Sequence, residues 1–515
     1  MMHCNQGGIK GILRGMDVKL NVQLVYVALI HEHAYEGPCR FGPPEALTKE
    51  FDLLNQAEIF KGWSGAMMGA FSQVPGINML PPVYLKMSDE FFIPAEEEAQ
   101  LLPTMRETDL YIFTGMRCEG YAKEFAIRYN KPVAGEGMFA STIINAITRA
   151  RGAEAYAFLD IPDGIRLLNA LRTRKALRNT RILAVVRNNS QQSLGGPDAF
   201  LSNDDATRRL GINFTYLSIH EFLDMLHVDE SGKNYTLPGR NACNLTSEDM
   251  VEVERWTDEL MAGTDDITMD RKYVVNSVKA AVLAKKLMAH FGCNAFTAPC
   301  PDACATRRMN QEQFTFCLTH SLLNEQGIPS GCEFDLIGTS AIASLGNLTG
   351  KAPYMGNTQP CVYFDGKVMN DFVGISYIPE MDHNPNIYYT GHATPNRLMH
   401  GFQAEPAPYA IRPFTHSGWG ATLRIDFAKN AGDTLTLMRF DPLCNRILVA
   451  KGTVVDGFGY GTTGCSEGVY FSVEDKLGYF HKQSEFGLHM PAVFGDHVED
   501  VKMLGRVLGM EVVVA

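Results

Sequence analysis

Hydrophobic and polar positions along the chain follow two different rhythms. Up to about residue 350, short apolar runs alternate with stretches of helical spacing. Residues 18–30, rich in Val, Leu and Tyr, predict a buried strand, and 46–60 predicts the helix after it. The run DLYIFTG at 109–115, bounded by polar residues and a glycine, has the signature of a parallel strand, and RILAVVR at 181–187 repeats it. Residues 214–219 repeat it again before a helix at 221–226. An amphipathic helix follows at 269–291 and a strand at 294–299. Strands alternating with helices in this way predict βαβ units and parallel sheets.

Beyond residue 350 the rhythm changes. Segments 422–427, 434–440, 447–455 and 468–473 alternate or run apolar, with Gly, Asn-Ala-Gly and Asp-Pro between them, an antiparallel, barrel-like pattern. A helix at 496–508 and a strand at 510–514 close the chain. The expected domains are an N-terminal α/β domain over 17–176, a central α/β domain over 177–350, and a C-terminal domain over 351–515.

Composition narrows the function classes. With 45% hydrophobic and 20% charged residues the chain is globular, and 515 residues exceed what one core supports. Lys and Arg total 46 against 58 Asp and Glu, and the net charge of −12 argues against nucleic acid as a partner. No apolar run reaches membrane-spanning length, and residues 1–16 lack the apolar segment of a signal peptide. Twelve scattered cysteines form no disulfide framework; Cys300-Pro-Asp-Ala-Cys304 is the closest spacing and lacks a second pair to complete a zinc site. Reduced thiols in a cytoplasm are expected.

Candidate chemistry gathers late in the chain. Gly327-Ile-Pro-Ser-Gly-Cys-Glu-Phe-Asp335 places an acidic pair just past an apolar helix. The bland account has Asp335 capping the next helix and Glu333 in a solvated loop. The functional one makes Glu333 a metal ligand or proton carrier, with partners at Asn357, His392 and His489. His489 lies in a segment constrained by Gly487, Pro491 and Gly495, read as a loop feeding a helix; a lone histidine in such a place is more often structural. His392, in Thr390-Gly-His-Ala-Thr-Pro, and His416, in Phe414-Thr-His-Ser-Gly-Trp-Gly420, are presented by similar turns. Together with one carboxylate these loops could form a hard-cation site of oxygen and nitrogen ligands. Gly459-Tyr-Gly-Thr-Thr-Gly464 matches a dinucleotide-binding pattern, but a strand follows it instead of a helix, so it reads as a β-turn cluster. His31-Glu-His33, after the first strand, suits substrate contact rather than a second metal.

These motifs, in order, resemble the L-fucose isomerase and L-arabinose isomerase superfamily of metal-dependent sugar isomerases. The resemblance runs through Gly-Ile-Pro-x-x-Cys-Glu-x-Asp (327–335), Gly-His-x-x-Pro (391–395), and His-Ser-Gly-x-Gly-Ala-Thr-Leu (416–423) leading into Asp433 to Arg439. His489-x-x-Ala-Val-x-Gly495 completes it. It covers about the last two hundred residues, and is only topological before them. It implies two Rossmann-like α/β domains, a C-terminal domain with an antiparallel β-barrel, and a homo-oligomer, trimer or hexamer. It also implies one Mn²⁺ (or Mg²⁺ or Co²⁺) held by a glutamate, a second carboxylate and a histidine. Glu333 matches the first and His489 the last, while the second carboxylate's position holds Asn357. An asparagine can ligate through its carbonyl oxygen but cannot carry a proton at neutral pH.

The implied reaction moves a proton between C1 and C2 of an open-chain sugar through an enediolate. Glu333 is then ligand and base, His489 a ligand, and Asn357 a neutral third ligand. The paired acid is Asp335, Glu485 or a metal-bound water. His392, His416, Trp419 and Arg40 are candidate substrate contacts, with the loops after Ile30 and Gly115, carrying Arg40 and Arg117, as places where a neighbouring subunit's sugar could be met. One carboxylate fewer is compatible with an acidic or sulfonated sugar. Epimerisation or elimination through the same enediolate, and a non-catalytic sugar-binding relative, remain open. A nicotinamide-dependent oxidoreductase fits less well, because no glycine fingerprint follows the first strand.

Overall fold

A computed structural model describes residues 12–31, 48–187, 201–230, 243–370 and 376–515. The chain divides into two compact units, Val18–Arg172 and a second made of Met1–Asp17 with Thr173–Ala515. The segments 177–350 and 351–515, read from sequence as separate domains, lie in the same compact unit.

The smaller unit is a parallel sheet. Its central strand β1 (Leu20–Ile30) is apolar on both faces because helices cover both. One edge of β1 is lined by β2 (Ile77–Met79) and then β3 (Val83–Ser88). The break between these two falls at Pro81-Pro82, which have no amide hydrogens to give a ladder. On the other side come β4 (Leu110–Thr114), β5 (Val133–Glu136) and β6 (Ala155–Phe158), all parallel. Strand order therefore reverses between β1 and β4, where ligand crevices form at carboxyl ends of strands. Gly115 makes the turn there at φ +117°, and a Cβ on it would meet the Val27 carbonyl at 2.0 Å. Arg117 follows, exposed, with its guanidinium 5.8 Å from the Phe91 ring centre.

The larger unit holds a second parallel sheet: β7 (Arg181–Val186), β8 (Asn213–Ser218), β9 (Ala295–Thr297) and β10 (Ser330–Gly331), in the order β10-β9-β7-β8. The helix Arg271–Phe291 buries Val274, Val278, Ala281 and Leu287 against its core. The later strands are β11 (Tyr354–Pro360), β12 (Val362–Phe364), β13 (Lys367–Asn370), β14 (Ser376–Tyr377), β15 (Ile387–Gly391), β16 (Tyr409–Pro413) and β17 (Ala421–Ile425). They continue with β18 (Thr434–Phe440), β19 (Arg446–Phe458), β20 (Gly468–Ser472), β21 (His489–Phe494) and β22 (Glu511–Val514). Seven of them form one mixed sheet, β18-β21-β11-β15-β20-β19-β22, in which β19 also pairs back with β18. The pairings among the first six are antiparallel and β22 joins β19 in parallel, so the antiparallel character is partial. The segment around His489 is thus a strand, not a loop. It tolerates Pro491 among its ladder positions, and the expected helix follows at Val498–Leu508.

Smaller sheets pair β13 with β12 and β14, and β16 with β17. Between the four-stranded and seven-stranded sheets of this unit runs the helix Leu336–Thr349, in which every residue from Leu336 to Leu348 is buried. Its apolar positions surround it completely, as a helix covered on all sides requires. Its hydroxyls bond back into the helix: Ser340 Oγ donates to Leu336 O at 2.7 Å and Ser344 Oγ to Ser340 O at 2.9 Å. Among the described residues no helix is long and apolar enough to cross a membrane.

The helix Cys317–Glu325, which leads into the Glu333 loop, is anchored by a buried ion pair. Arg397 donates Nε and Nη2 to the Glu325 carboxylate at 2.9 and 2.6 Å, and its guanidinium lies 4.8 Å from the Tyr409 ring centre. Removing one member of such a pair strands a buried charge. Arg397→Ala is expected to destabilise this unit by about 3–5 kcal/mol, read as a lowered midpoint in urea unfolding; a change below about 1 kcal/mol would place the pair among ordinary surface contacts.

Candidate metal centre

Three donors converge where the loop after β10 meets the mixed sheet. The ligand atoms of Glu333, His392 and His489 all lie within 4.8 Å of one another. The Glu333 Oε1 is 3.1 Å from His392 Nε2, and its Oε2 is 3.4 Å from His489 Nε2. Cis ligands on a cation with bonds of about 2.1 Å sit roughly 3 Å apart, so the spacing fits a single ion. Both histidines are buried, while Glu333 retains 23% side-chain exposure, which opens the group on the carboxylate side.

Each donor is placed by a different piece of local structure. Gly327, at φ +71°, ends the turn after the apolar helix, and β10 is only two residues long. Glu333 and Phe334 then adopt left-handed backbone conformations at φ 57° and 58°. A side chain held there costs about 1–3 kcal/mol per residue and persists where surroundings impose it. His392 follows the last residue of β15, its amide donating to Glu467 O at 2.8 Å and to the Tyr354 hydroxyl at 2.6 Å. His489 opens β21. The strand between them is β11, where Asn357 is the register partner of both His489 and Gly391. Directly opposed residues of an antiparallel pair share a face, so Asn357 lies on the face of the sheet that carries His489.

Behind His489 stands Asp335. It caps the helix Leu336–Thr349, accepting the Gly338 amide at 2.7 Å. Its other oxygen, Oδ2, lies 2.9 Å from His489 Nδ1 and accepts from Arg439 Nη1 at 2.9 Å. All three side chains are buried. A carboxylate on Nδ1 turns Nε2 towards the shared site, the arrangement that orients metal-binding histidines. Arg439 is fixed in turn by donating Nε to Phe486 O at 2.8 Å. Gly487, at φ +118°, keeps clear of it, since a Cβ there would lie 2.9 Å from Nε.

The charges reinforce one another. Burial alone would raise the Glu333 pKa, yet hydrogen bonds and charge from His392 and His489 hold it well below the usual carboxylate range. Burial likewise opposes ionisation of Asp335, but Arg439 and then His489 lower it to about 2. His489, disfavoured as a cation by burial, is raised to about 9 by Asp335 and Glu333. Burial also disfavours the His392 cation, yet that group is raised well above its usual value by Cys465, whose Sγ is 3.4 Å from Nδ1, and by Glu333.

Other residues singled out in the sequence lie elsewhere. Glu485 is exposed and pairs with Arg446 Nη1 at 2.6 Å. His416 is exposed in the turn between β16 and β17, and Trp419 is half-buried in the same turn, its amide donating to Thr415 Oγ1 at 3.2 Å. Neither His416 nor Glu485 belongs to the converging group. Arg40 falls outside the described residues. The sequence reading missed Arg439, Tyr354, Glu467 and Cys465 around the site. Arginines inside the apolar runs Thr434–Phe440 and Ala421–Ile425 were visible signals of buried charges needing carboxylates, which the fold supplies as Asp335 to Arg439 and Glu467 to Arg424. Comparison with protein-family models finds no match, and comparison with curated proteins finds none either.

Asp335→Asn keeps a capping oxygen but removes the charge behind His489. It is expected to weaken Mn²⁺ binding by about 10–100-fold, measured by calorimetric titration; unchanged affinity would remove Asp335 from the site. Stability of the metal-free protein should also follow His489 and Asp335, among the shifted groups. The contribution of His489 is complete below 6.5 and lost as pH rises through about 9. That of Asp335 is present above 3.8 and lost as pH falls through about 2. Urea midpoints measured across pH should decline at both ends. Because a bound cation requires neutral histidines, Mn²⁺ affinity should rise as pH approaches about 9.

Proposed function

We propose that this protein is a metal-dependent aldose–ketose isomerase acting on an open-chain sugar through an enediolate. The observation that carries the proposal is the convergence of Glu333, His392 and His489 on one point beside a partly open carboxylate. The donor set, one carboxylate and two imidazoles, suits Mn²⁺ or a related cation such as Mg²⁺ or Co²⁺. The sequence resemblance to the L-fucose and L-arabinose isomerase superfamily points the same way. In this reading the parallel sheets belong to Rossmann-like domains and the ring of six antiparallel pairings is a barrel. The protein works as a homo-oligomer, a trimer or hexamer.

When bound, the cation would polarise the substrate carbonyl and neutralise charge developing on O1 and O2. Glu333, His489 and His392 would hold it, with the Asn357 carbonyl oxygen as a further neutral ligand. His392 thus moves from the substrate contact expected of it to a ligand position. Glu333, the one member that is both acidic and partly exposed, carries the proton between C1 and C2. Asp335 acts through His489 as a positioning residue, because its oxygens are engaged by Arg439, Gly338 and His489. A site with one anionic ligand is compatible with an acidic or sulfonated sugar.

Asn357 in place of a second carboxylate favours one alternative: an epimerase or lyase, for which a single base suffices to form the enediolate.

The test is turnover of a panel of neutral and acidic aldoses, with and without Mn²⁺, in D₂O. Ketose product carrying deuterium at C1 is expected, lost on chelation and restored by Mn²⁺. Glu333→Gln should lower kcat by at least about 10²-fold. Turnover that survives chelation, or products without exchange at the carbon beside the carbonyl, would overturn the proposal.

A further inference from the structure

A second group of donors surrounds the same loop from its other side. Cys300 lies at the start of the helix Cys300–Ala305, His320 on the helix Cys317–Glu325, and Cys332 immediately before Glu333. Their ligand atoms also fall within 4.8 Å of one another. Cys332 and His320 are buried, and Cys300 is half-buried.

The sulfur spacing separates two interpretations. Cys300 Sγ and Cys332 Sγ are 3.3 Å apart. A disulfide needs about 2.05 Å, whereas two thiolates on a tetrahedral zinc, with bonds of about 2.3 Å, sit roughly 3.7 Å apart. The pair is much nearer the second value. His320 is prepared in the same sense. Its Nδ1 is 2.8 Å from Ser330 Oγ, and Ser330 is itself clamped by Asn324, whose Nδ2 donates to Ser330 O at 2.9 Å. The remaining ring nitrogen, Nε2, is buried and makes no hydrogen bond. A buried polar atom left in that state is unfavourable; a cation at the thiols would use its lone pair. The surroundings are apolar, with Ile342 and Met355 packed on the cysteines and the Phe296 ring 5.9 Å from the imidazole.

We propose that Cys300, His320 and Cys332 form a second metal site, for a thiophilic divalent cation of the zinc class. Two thiolates and an imidazole select zinc over manganese or magnesium, which prefer oxygen. Binding releases the two thiol protons, and three protein ligands leave one tetrahedral position for water. The ion ties two helices to the residue preceding Glu333, and so fixes the strained loop from behind. The proposal stands independently of the isomerase reading, since none of its ligands belongs to the Glu333 group.

The experiment uses the full chain, reduced and stripped with chelator, then titrated with Co²⁺ and Zn²⁺. Wild type and Glu333→Gln should develop thiolate-to-cobalt charge-transfer absorbance that one equivalent of Zn²⁺ abolishes. Cys300→Ser and Cys332→Ser should not develop it. In wild type, where folding is not in question, Zn²⁺ should slow alkylation of Cys300 and Cys332 by at least about tenfold, mapped by mass spectrometry. Charge transfer that persists in both serine variants overturns the proposal. So does a Cys300–Cys332 disulfide whose reduced form takes up no Zn²⁺, or alkylation that Zn²⁺ leaves unchanged. Loss of absorbance in Glu333→Gln alone would assign the cobalt to the other centre and overturn it as well.

Discussion

The larger unit is organised around the Asp335 carboxylate. It is wholly buried, and an ionised carboxylate in such a place is tolerable only when every lone pair is used. Here one oxygen ends a helix and the other meets a guanidinium and an imidazole. Those partners come from three separate parts of the fold: the buried helix, β18 and β21. A single charge therefore joins the helix between the two sheets to the strand that presents His489. Positioning and stability are the same interaction at this point.

The second constraint is the ladder. Because β11 lies between β21 and β15, the level at which His489, Asn357 and Gly391 meet is set by backbone hydrogen bonds. His392 stands one residue beyond that level. The carboxylate arrives from outside the sheet, on a loop whose backbone is held in two successive left-handed conformations. The rigid members of the group are thus the histidines, and the loop determines whether the third donor is in place. The cysteine and histidine group packs against that same loop, so the two sets of donors are neighbours in sequence through Cys332 and Glu333.

How much of this could be read from sequence depended on how continuous each apolar run was. The strands at 18–30, 109–115 and 181–187 were legible because strands covered on both faces leave long hydrophobic runs, and 434–440 because Thr434, Leu435, Thr436 and Leu437 alternate. The first helix was foreseen as ending near residue 60 and reaches Phe71, because Gly62, Gly65 and Gly69 dilute its pattern without breaking it. Strands β11 and β15 were not anticipated, since Gly356, Asn357 and Pro360 disguise one and the other is only five residues long. Pro491 similarly made β21 resemble a loop. Motif order brought Glu333, His392 and His489 to attention, but not their mutual geometry, which depends on those unanticipated strands. Asp335 is the helix cap expected of it through Oδ1, while its Oδ2 meets His489 and Arg439, contacts that no motif announced. Cys300, His320 and Cys332 stand at successive intervals of 20 and 12 residues and follow no ligand spacing, so only the fold brings them together.

The left-handed pair at Glu333 and Phe334 has a consequence for how this loop could change. Glycine occupies such backbone angles without penalty, so replacing Glu333 by glycine would relieve about 1 kcal/mol of strain while deleting the only anionic donor of the group. That backbone gain is set against the contacts Glu333 makes with His392 and His489, which hold its carboxylate ionised. The strained loop and the two imidazoles are thus interdependent: the angles persist because the side chain they carry is gripped at its far end.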